Sequence, residues 1–142
     1  MAKNATPTSV AKSRTSESNR LLLIAGIFAT IWTGFGINAL LRPMAAYSIF
    51  EFPVPIASAD QAVIEGLMLI YGARDLFMGF AVLITALLGS RRACGYVVLA
   101  GAAVAFVDGW ACLRVVGDGQ WNHWGYAPAL VIVGALMAGV LD

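Results

Sequence analysis

Between residues 62 and 88 the chain reads AVIEGLMLIYGARDLFMGFAVLITALL, and this stretch is the most informative about the fold. The run exceeds the roughly 20 apolar residues that a helix needs to cross the hydrocarbon core of a membrane. Near its middle it nevertheless carries a guanidinium and a carboxylate, Arg74 and Asp75. Ionisable residues at such depth are costly in lipid and commonly mark a functional site. The stretch therefore predicts a transmembrane helix with a polar centre.

Three further apolar runs surround this stretch, so the predicted spans are residues 21–42, 62–88, 94–116 and 125–141. Overall 60% of the residues are hydrophobic and 12% are charged, whereas soluble domains carry about 25% charged residues. Residues 1–20 are polar and are predicted to form a disordered tail. The predicted fold class is all-α, an integral membrane four-helix bundle that occupies residues 21–142.

The connections between the spans differ in character. Residues 89–92 are short and polar, so the second and third spans are predicted to be antiparallel neighbours. Residues 43–61 are longer and contain Tyr47, Phe50 and Phe52. This connection is too apolar for a plain hydrated loop. It is predicted either to lie along the membrane interface or to fold over the bundle as a lid.

Charge and cysteine placement restrict the partners and the topology. Lys and Arg are concentrated in the N-terminal tail and in the loop at 89–92, which predicts that both termini face the cytoplasm. A net charge of +1 without a basic stripe gives no reason to expect a nucleic-acid partner. Cys94 and Cys112 lie on one helix, about 27 Å apart along its axis, and cannot pair. With a single histidine in the chain, no His/Cys metal site is predicted.

Counting from the loop at 89–92 places two carboxylates at nearly one depth. Asp75 on the second span and Asp108 on the third fall within about 3 Å of each other along the membrane normal, with Arg74 between them. Asp75, Asp108 and Arg74 are therefore the predicted catalytic residues. The alternative is a purely structural Arg–Asp clasp, in which opposite charges neutralise one another and hold the bundle together.

A second set of side chains lies towards the non-cytoplasmic side and is predicted to bind substrate or relay protons. Its members are Glu65, His123, Asn38, Tyr71, Trp110, Arg114 and Trp124. Several have plainer alternatives, because Trp124 fits an aromatic belt and Trp110 fits helix packing. His123 fits a helix cap equally well, and Glu65 fits a water-facing helix entrance.

The motif Gly72-Ala73-Arg74-Asp75 with Gly79, followed by Asp108-Gly109 and by His123, resembles a known family. It is a domain-of-unknown-function family of small four-helix integral membrane proteins common in filamentous fungi. The resemblance covers roughly residues 22–142 and leaves out the N-terminal tail. Some family members are associated with secondary-metabolite pathways. The resemblance therefore implies a hydrophobic polyketide or terpenoid substrate and a location in the endoplasmic reticulum.

The predicted function is cofactor-independent acid–base chemistry on a lipophilic secondary metabolite. Two carboxylates beside an arginine can differ in proton affinity and so supply both an acid and a base. Epoxide opening, by hydrolysis or cyclisation, is the most specific form, and isomerisation is the next. The alternatives are a small membrane transporter or proton pathway, or a scaffold for other membrane enzymes. The expected partners are the small-molecule substrate and membrane lipid, and small residues on the helix faces also allow a homo-oligomer.

Overall fold

The computed structural model describes residues 14–142, and this part of the chain contains helices, turns and loops but no strand. Its six α-helices are α1 (Asn19–Leu41), α2 (Pro43–Tyr47), α3 (Ser58–Leu87), α4 (Arg91–Val115), α5 (Trp121–Trp124) and α6 (Ala127–Ala138). Short 3-10 turns occupy Thr15–Glu17 and Ser48–Phe50. The prediction of an all-α fold is therefore confirmed.

Three of these helices, α1, α3 and α4, are long and apolar enough to cross a membrane. The longest, α3, has 30 residues and a length of about 45 Å. Large apolar side chains face outwards on these helices, with Leu23, Ile70 and Phe77 each more than two-thirds exposed. Exposed apolar surface on this scale is typical of a protein whose solvent is lipid. Length and composition therefore indicate a membrane protein.

The fourth predicted span, residues 125–141, is shorter in the structure. Helix α6 has 12 residues and a length of about 18 Å, against a hydrocarbon core of about 30 Å. Pro128 has no N–H to bond the carbonyl four residues earlier, so α5 cannot continue into α6 as one helix. At the other end Gly139 adopts a φ of 91° and terminates α6.

The disordered tail predicted for residues 1–20 can be compared with the structure from residue 14 onwards. Residues 1–13 of the predicted tail lie outside the described residues. Residues 14–20 differ from a disordered tail, because Thr15–Glu17 form a turn and α1 already begins at Asn19. The Ser16 backbone N–H and hydroxyl donate to the Asp142 carboxylate at 3.0 and 2.6 Å. Polar side chains thus fix this segment to the other end of the chain, which a composition argument does not foresee.

The helices pack as two close pairs, α1 with α3 and α4 with α6. Gly36 and Gly72 face each other in the first pair, where a Cβ on Gly36 would lie 2.8 Å from the Gly72 carbonyl oxygen. Gly95 and Gly134 have the same relation in the second pair. Small residues let helix backbones approach this closely. The two pairs meet along α3 and α4, the helices that carry the predicted catalytic residues.

Residues 43–57, which we call the lid segment, fold over one end of the bundle. Helix α2 packs on α1 and α3, and Phe50 is buried against α3 and α5. Asn122 of α5 donates through Nδ2 to the Glu51 carboxylate at 2.9 Å. Of the two arrangements predicted for this connection, the structure shows the lid.

Candidate active site

Arg74 joins the two buried carboxylates into one cluster. Its Nη1 and Nη2 each donate to one oxygen of Asp108 at 2.8 Å, which makes a bidentate pair. Its Nε and Nη2 also donate to Asp75 Oδ1, at 3.2 and 3.1 Å. Four of the five N–H groups of a guanidinium are thereby used within the cluster. The structure brings together the three residues that the sequence predicted to share one layer of the membrane.

The cluster residues come from two helices and differ in how deeply they are buried. Asp75 faces the interior of the bundle, and its side chain is 2% exposed, whereas that of Arg74 is 34% exposed. Asp108 reaches the same point from α4 and is 11% exposed. It lies seven residues before Val115, the end of α4, which is about 10 Å along the helix. The cluster therefore lies between the middle of α4 and its lid end.

The cluster carries an uneven formal charge. One guanidinium and two ionised carboxylates sum to −1. An unbalanced charge is costly away from water, and one bound proton makes the set neutral. A cluster that holds one proton between two carboxyls can both give and accept a proton.

Two cavities meet at Asp108. The smaller has a volume of about 10 Å³, lies between α1, α3 and α4, and is lined by both aspartates together with Trp32, Tyr71 and Tyr126. It is at the lower limit for holding one water molecule. The larger measures about 330 Å³ and lies between α3 and the lid segment, within the usual range for small-molecule pockets.

The larger cavity, which we call the aromatic pocket, is apolar apart from its inner end. It is lined by Tyr47, Phe50, Phe52, Ile64, Leu67, Met68, Tyr71 and Asp108. Asp108 is the one acidic or basic side chain among its described lining residues, and Asp75 does not line it. Of the three predicted catalytic residues, Asp108 is therefore the one that a ligand in this pocket would touch.

Aromatic contacts hold the lid segment over the cluster. Phe50 packs edge-on against Tyr71 with ring centroids 5.1 Å apart, and it lies 5.3 Å from Phe52. Tyr71 in turn places its ring against the Arg74 guanidinium, 4.3 Å from centroid to Cζ. A continuous line of aromatic contacts thus runs from the lid segment to Arg74.

His123 lies beneath the lid segment on α5. Its side chain is buried and stacks on Phe50, with centroids 5.1 Å apart. Among residues 14–142 its Nε2 has no hydrogen-bond partner. Burial lowers the pKa of His123 below its usual range, because the charged imidazolium is poorly solvated there. His123 thus contacts Phe50, which in turn packs against Tyr71 beside the cluster.

Tyr71 is the other relay candidate at the cluster, and the remaining five lie elsewhere. Glu65, Trp110 and Arg114 are exposed, and Arg114 lies 5.8 Å from the Trp110 ring. Asn38 is half-buried on α1 and lines neither cavity at Asp108.

Trp124 belongs to a separate groove of about 560 Å³ between α4 and α6. It stacks on Phe106 at 5.5 Å and donates through Nε1 to the Phe106 carbonyl at 3.0 Å. The groove contains none of the charged cluster residues. Trp124 is therefore placed for packing against α4 rather than for contact with Asp108.

Reasoning from the sequence missed the lid residues as components of the site. Phe50 and Phe52 line the pocket, and Glu51 adopts a φ of 58° where the lid segment turns back. The one signal for them was the unusual density of aromatic residues in a connecting segment. Their partners on α3 and α5 depend on tertiary packing.

The arrangement is suited to proton transfer at the inner end of an apolar pocket. Asp108 can exchange a proton with a ligand, while Arg74 holds both of its oxygens in a fixed orientation. Asp75 binds the adjacent edge of the guanidinium, formed by Nε and Nη2, and keeps it aligned. The pocket walls are mainly apolar and aromatic, and an environment of low polarity strengthens electrostatic interactions.

Comparison with known proteins identifies the family. No curated protein and no solved structure matched the chain. Residues 29–137 match a family described as Domain of unknown function (DUF4267). This range includes the lid segment, the Arg74–Asp75–Asp108 cluster and His123. Because the match covers most of the 142 residues, the chain belongs to the DUF4267 family.

Proposed function

We propose that this protein is a cofactor-independent membrane enzyme that performs acid–base chemistry on a lipophilic small molecule of the secondary-metabolite type. The observation that carries the proposal is the position of Asp108. It is an ionisable group held by a bidentate arginine at the inner end of an aromatic pocket of about 330 Å³. A purely structural ion pair does not require an adjoining cavity.

Epoxide opening is the most specific reaction in this proposal. The cluster, carrying one proton, gives it through Asp108 to the oxirane oxygen as a C–O bond of the ring breaks. Water, or a hydroxyl of the same molecule, forms the new C–O bond at the carbon and returns a proton to Asp108. Attack by water adds one water to the molecule, whereas attack by its own hydroxyl closes a ring without a change in mass. Proton removal and return at two carbons would give an isomerisation.

The three residues have different tasks in this scheme. Asp108 is the acid and base, because it lines the pocket. Arg74 orients Asp108 and stabilises the carboxylate that remains after Asp108 has given up its proton. Asp75 is a positioning residue, since it contacts Arg74 and stays outside the aromatic pocket.

The proposal also includes a location and a topology. The concentration of Lys and Arg in the N-terminal segment and in the loop before α4 supports cytoplasmic termini. The lid segment and the mouth of the pocket would then lie on the opposite side of the membrane. The endoplasmic reticulum, with membrane lipid as the surrounding partner, fits this topology and a lipophilic substrate.

The test compares wild type with Asp108→Asn and with Asp60→Asn, each purified in detergent and checked for thermal stability. Asp60 provides a matched control, because it is an exposed acid in the first turn of α3. Each protein is incubated with lipophilic epoxides and polyenes, and products are identified by mass spectrometry.

We expect wild type and Asp60→Asn to convert a substrate that a folded Asp108→Asn does not, with a loss of roughly 10²–10⁴-fold. A mass gain of one water identifies hydrolysis, and an unchanged mass identifies cyclisation or isomerisation. If wild type converts nothing and Asp108→Asn only loses stability, the cluster is a structural clasp and the enzyme proposal is wrong.

A further inference from the structure

The charge and the walls of the aromatic pocket together define what kind of ligand it favours. We infer that the pocket binds lipophilic ligands through a positive charge, either formal or developing during a reaction, at their inner end. The inference rests on the proposed function in taking this cavity as the substrate site. It adds the electrostatic character of the substrate.

Four aromatic rings form the walls as a connected set. Tyr47 lies 5.8 Å from Phe52, Phe52 lies 5.3 Å from Phe50, and Phe50 lies 5.1 Å from Tyr71, between ring centroids. The faces of such rings are electronegative and attract cations, most strongly where water is absent. The Tyr71 ring already has this relation with Arg74 at 4.3 Å. The pocket walls thus offer a cation more than van der Waals contact.

The inner end adds a negative charge. Asp108 faces the pocket, and Asp75 lies behind it on the same guanidinium. When the cluster has given up its proton, its three charges sum to −1. No other charged side chain lines the aromatic pocket within the described residues. Arg74 pairs with Asp108 but leaves the deprotonated cluster with a net charge of −1, so the cluster attracts an approaching cation in a site with apolar walls, where Coulomb attraction is strong.

This combination of aromatic walls and negative charge suits the transition state of the proposed epoxide opening. When Asp108 protonates an oxirane oxygen, the cluster becomes negative as the carbon of the breaking C–O bond becomes positive. The pocket then holds both charges between mainly apolar walls. Groups that stabilise charge as it develops are a major source of rate enhancement in enzymes.

A pair of isosteric ligands tests the inference by binding alone. The charged probe is phenylbutyl-trimethylammonium, and the neutral probe has carbon in place of the nitrogen. Binding is measured by equilibrium dialysis to the full chain in nanodiscs of zwitterionic phosphatidylcholine, with empty nanodiscs as the reference for partitioning. The variants are Asp108→Asn, Phe52→Leu and the control Asp60→Asn.

We expect wild type and Asp60→Asn to bind the ammonium probe about tenfold more tightly than its carbon isostere. Asp108→Asn should bring this ratio close to one. Phe52→Leu removes an aromatic ring while keeping an apolar side chain, so it should reduce the ratio with little effect on the neutral probe. Phe52 is half-buried, which keeps the test decisive even if Asp108→Asn fails to fold.

Equal binding of the two probes to wild type would overturn the inference, as would a preference that survives both Asp108→Asn and Phe52→Leu. Failure of the proposed function would look different. In that case the ammonium preference would be present and would depend on Asp108, while no epoxide or polyene would be converted.

Discussion

Asp75 and Asp108 carry the same functional group and contact the same arginine, yet their surroundings separate their roles. Asp108 forms both bonds of a bidentate pair and lines the aromatic pocket. Asp75 uses one oxygen for two bonds and lines the small cavity of about 10 Å³ but not the aromatic pocket. The two aspartates, which the sequence alone could not assign as acid or base, thus differ in their access to the aromatic pocket.

His123 supports a prediction about pH at the residue scale. Its pKa is lowered by burial, so the folded protein holds the neutral imidazole. In the unfolded chain the group titrates near its ordinary pKa of about 6.5. Above that pH both states are neutral, and the stability is unaffected by this group. As the pH falls below it, the unfolded chain binds the proton first, so stability is lost until the folded pKa is reached.

The measurement is the unfolding temperature of wild type and of His123→Phe between about pH 7 and pH 5. The phenyl ring keeps an aromatic partner for Phe50 but cannot bind a proton. We expect the wild-type unfolding temperature to fall more steeply over this range than that of the variant. Parallel profiles would show that His123 does not titrate differently on folding.

At the scale of elements, the spacing of the sequence predicted the cluster because rise per residue sets depth in a helix. Depth does not give the direction in which a side chain points, and Trp110 and Arg114 are exposed rather than turned towards the cluster. Trp110 follows Asp108 by two residues, a rotation of about 200° around α4. Its side chain therefore lies on the opposite face, where it is 52% exposed. A helical projection of the sequence would have removed it from the site.

The lid segment was less predictable than the long helices. Its aromatic content suggested that it is covered, but the pairing of Phe50 with Tyr71 and His123 joins segments far apart in the chain. The division between α5 and α6 was readable in part, because Pro128 marks the interruption. The three long helices thus followed from local sequence, whereas the shortness of α6 and the lid contacts did not.

The pairing of α1 with α3 gives a prediction at this scale. A Cβ on Gly36 would lie 2.8 Å from the Gly72 carbonyl oxygen and from the Leu76 backbone nitrogen. Because these are backbone atoms, Gly36→Ala should push the two helices apart and lower stability by about 1–3 kcal/mol.

The matched control is Gly26→Ala on the same helix, where an added Cβ meets nothing within 4 Å. It should leave stability unchanged or raise it by up to about 1 kcal/mol through helix propensity. Reversible unfolding in mixed micelles measures both. Equal effects of the two substitutions would contradict the close packing of α1 and α3.

In the whole molecule, the two ends of the bundle have different characters. At one end the polar contacts are structural: Ser16 donates to Asp142, and these hydrogen bonds lower the pKa of the Asp142 carboxyl. Arg91 adds bonds to the Ser18 carbonyl at 3.0 Å and to Asn19 at 2.8 Å. Towards the other end the lid segment covers the aromatic pocket, which reaches the charged cluster at Asp108. The candidate chemistry therefore lies between the middle of the bundle and the lid segment, away from the contacts between Ser16 and Asp142.

In the proposed mechanism Asp108, rather than Asp75, exchanges the proton with the substrate. The most direct test is the rate constant of turnover for Asp75→Asn and Asp108→Asn, compared with wild type at equal folded fraction on an epoxide that wild type converts. Both substitutions keep the shape of the side chain, and each removes one negative charge that neighbours Arg74. We expect Asp108→Asn to lose roughly 10²–10⁴-fold in rate and Asp75→Asn to lose substantially less. Equal losses, or a larger loss in Asp75→Asn, would contradict this account.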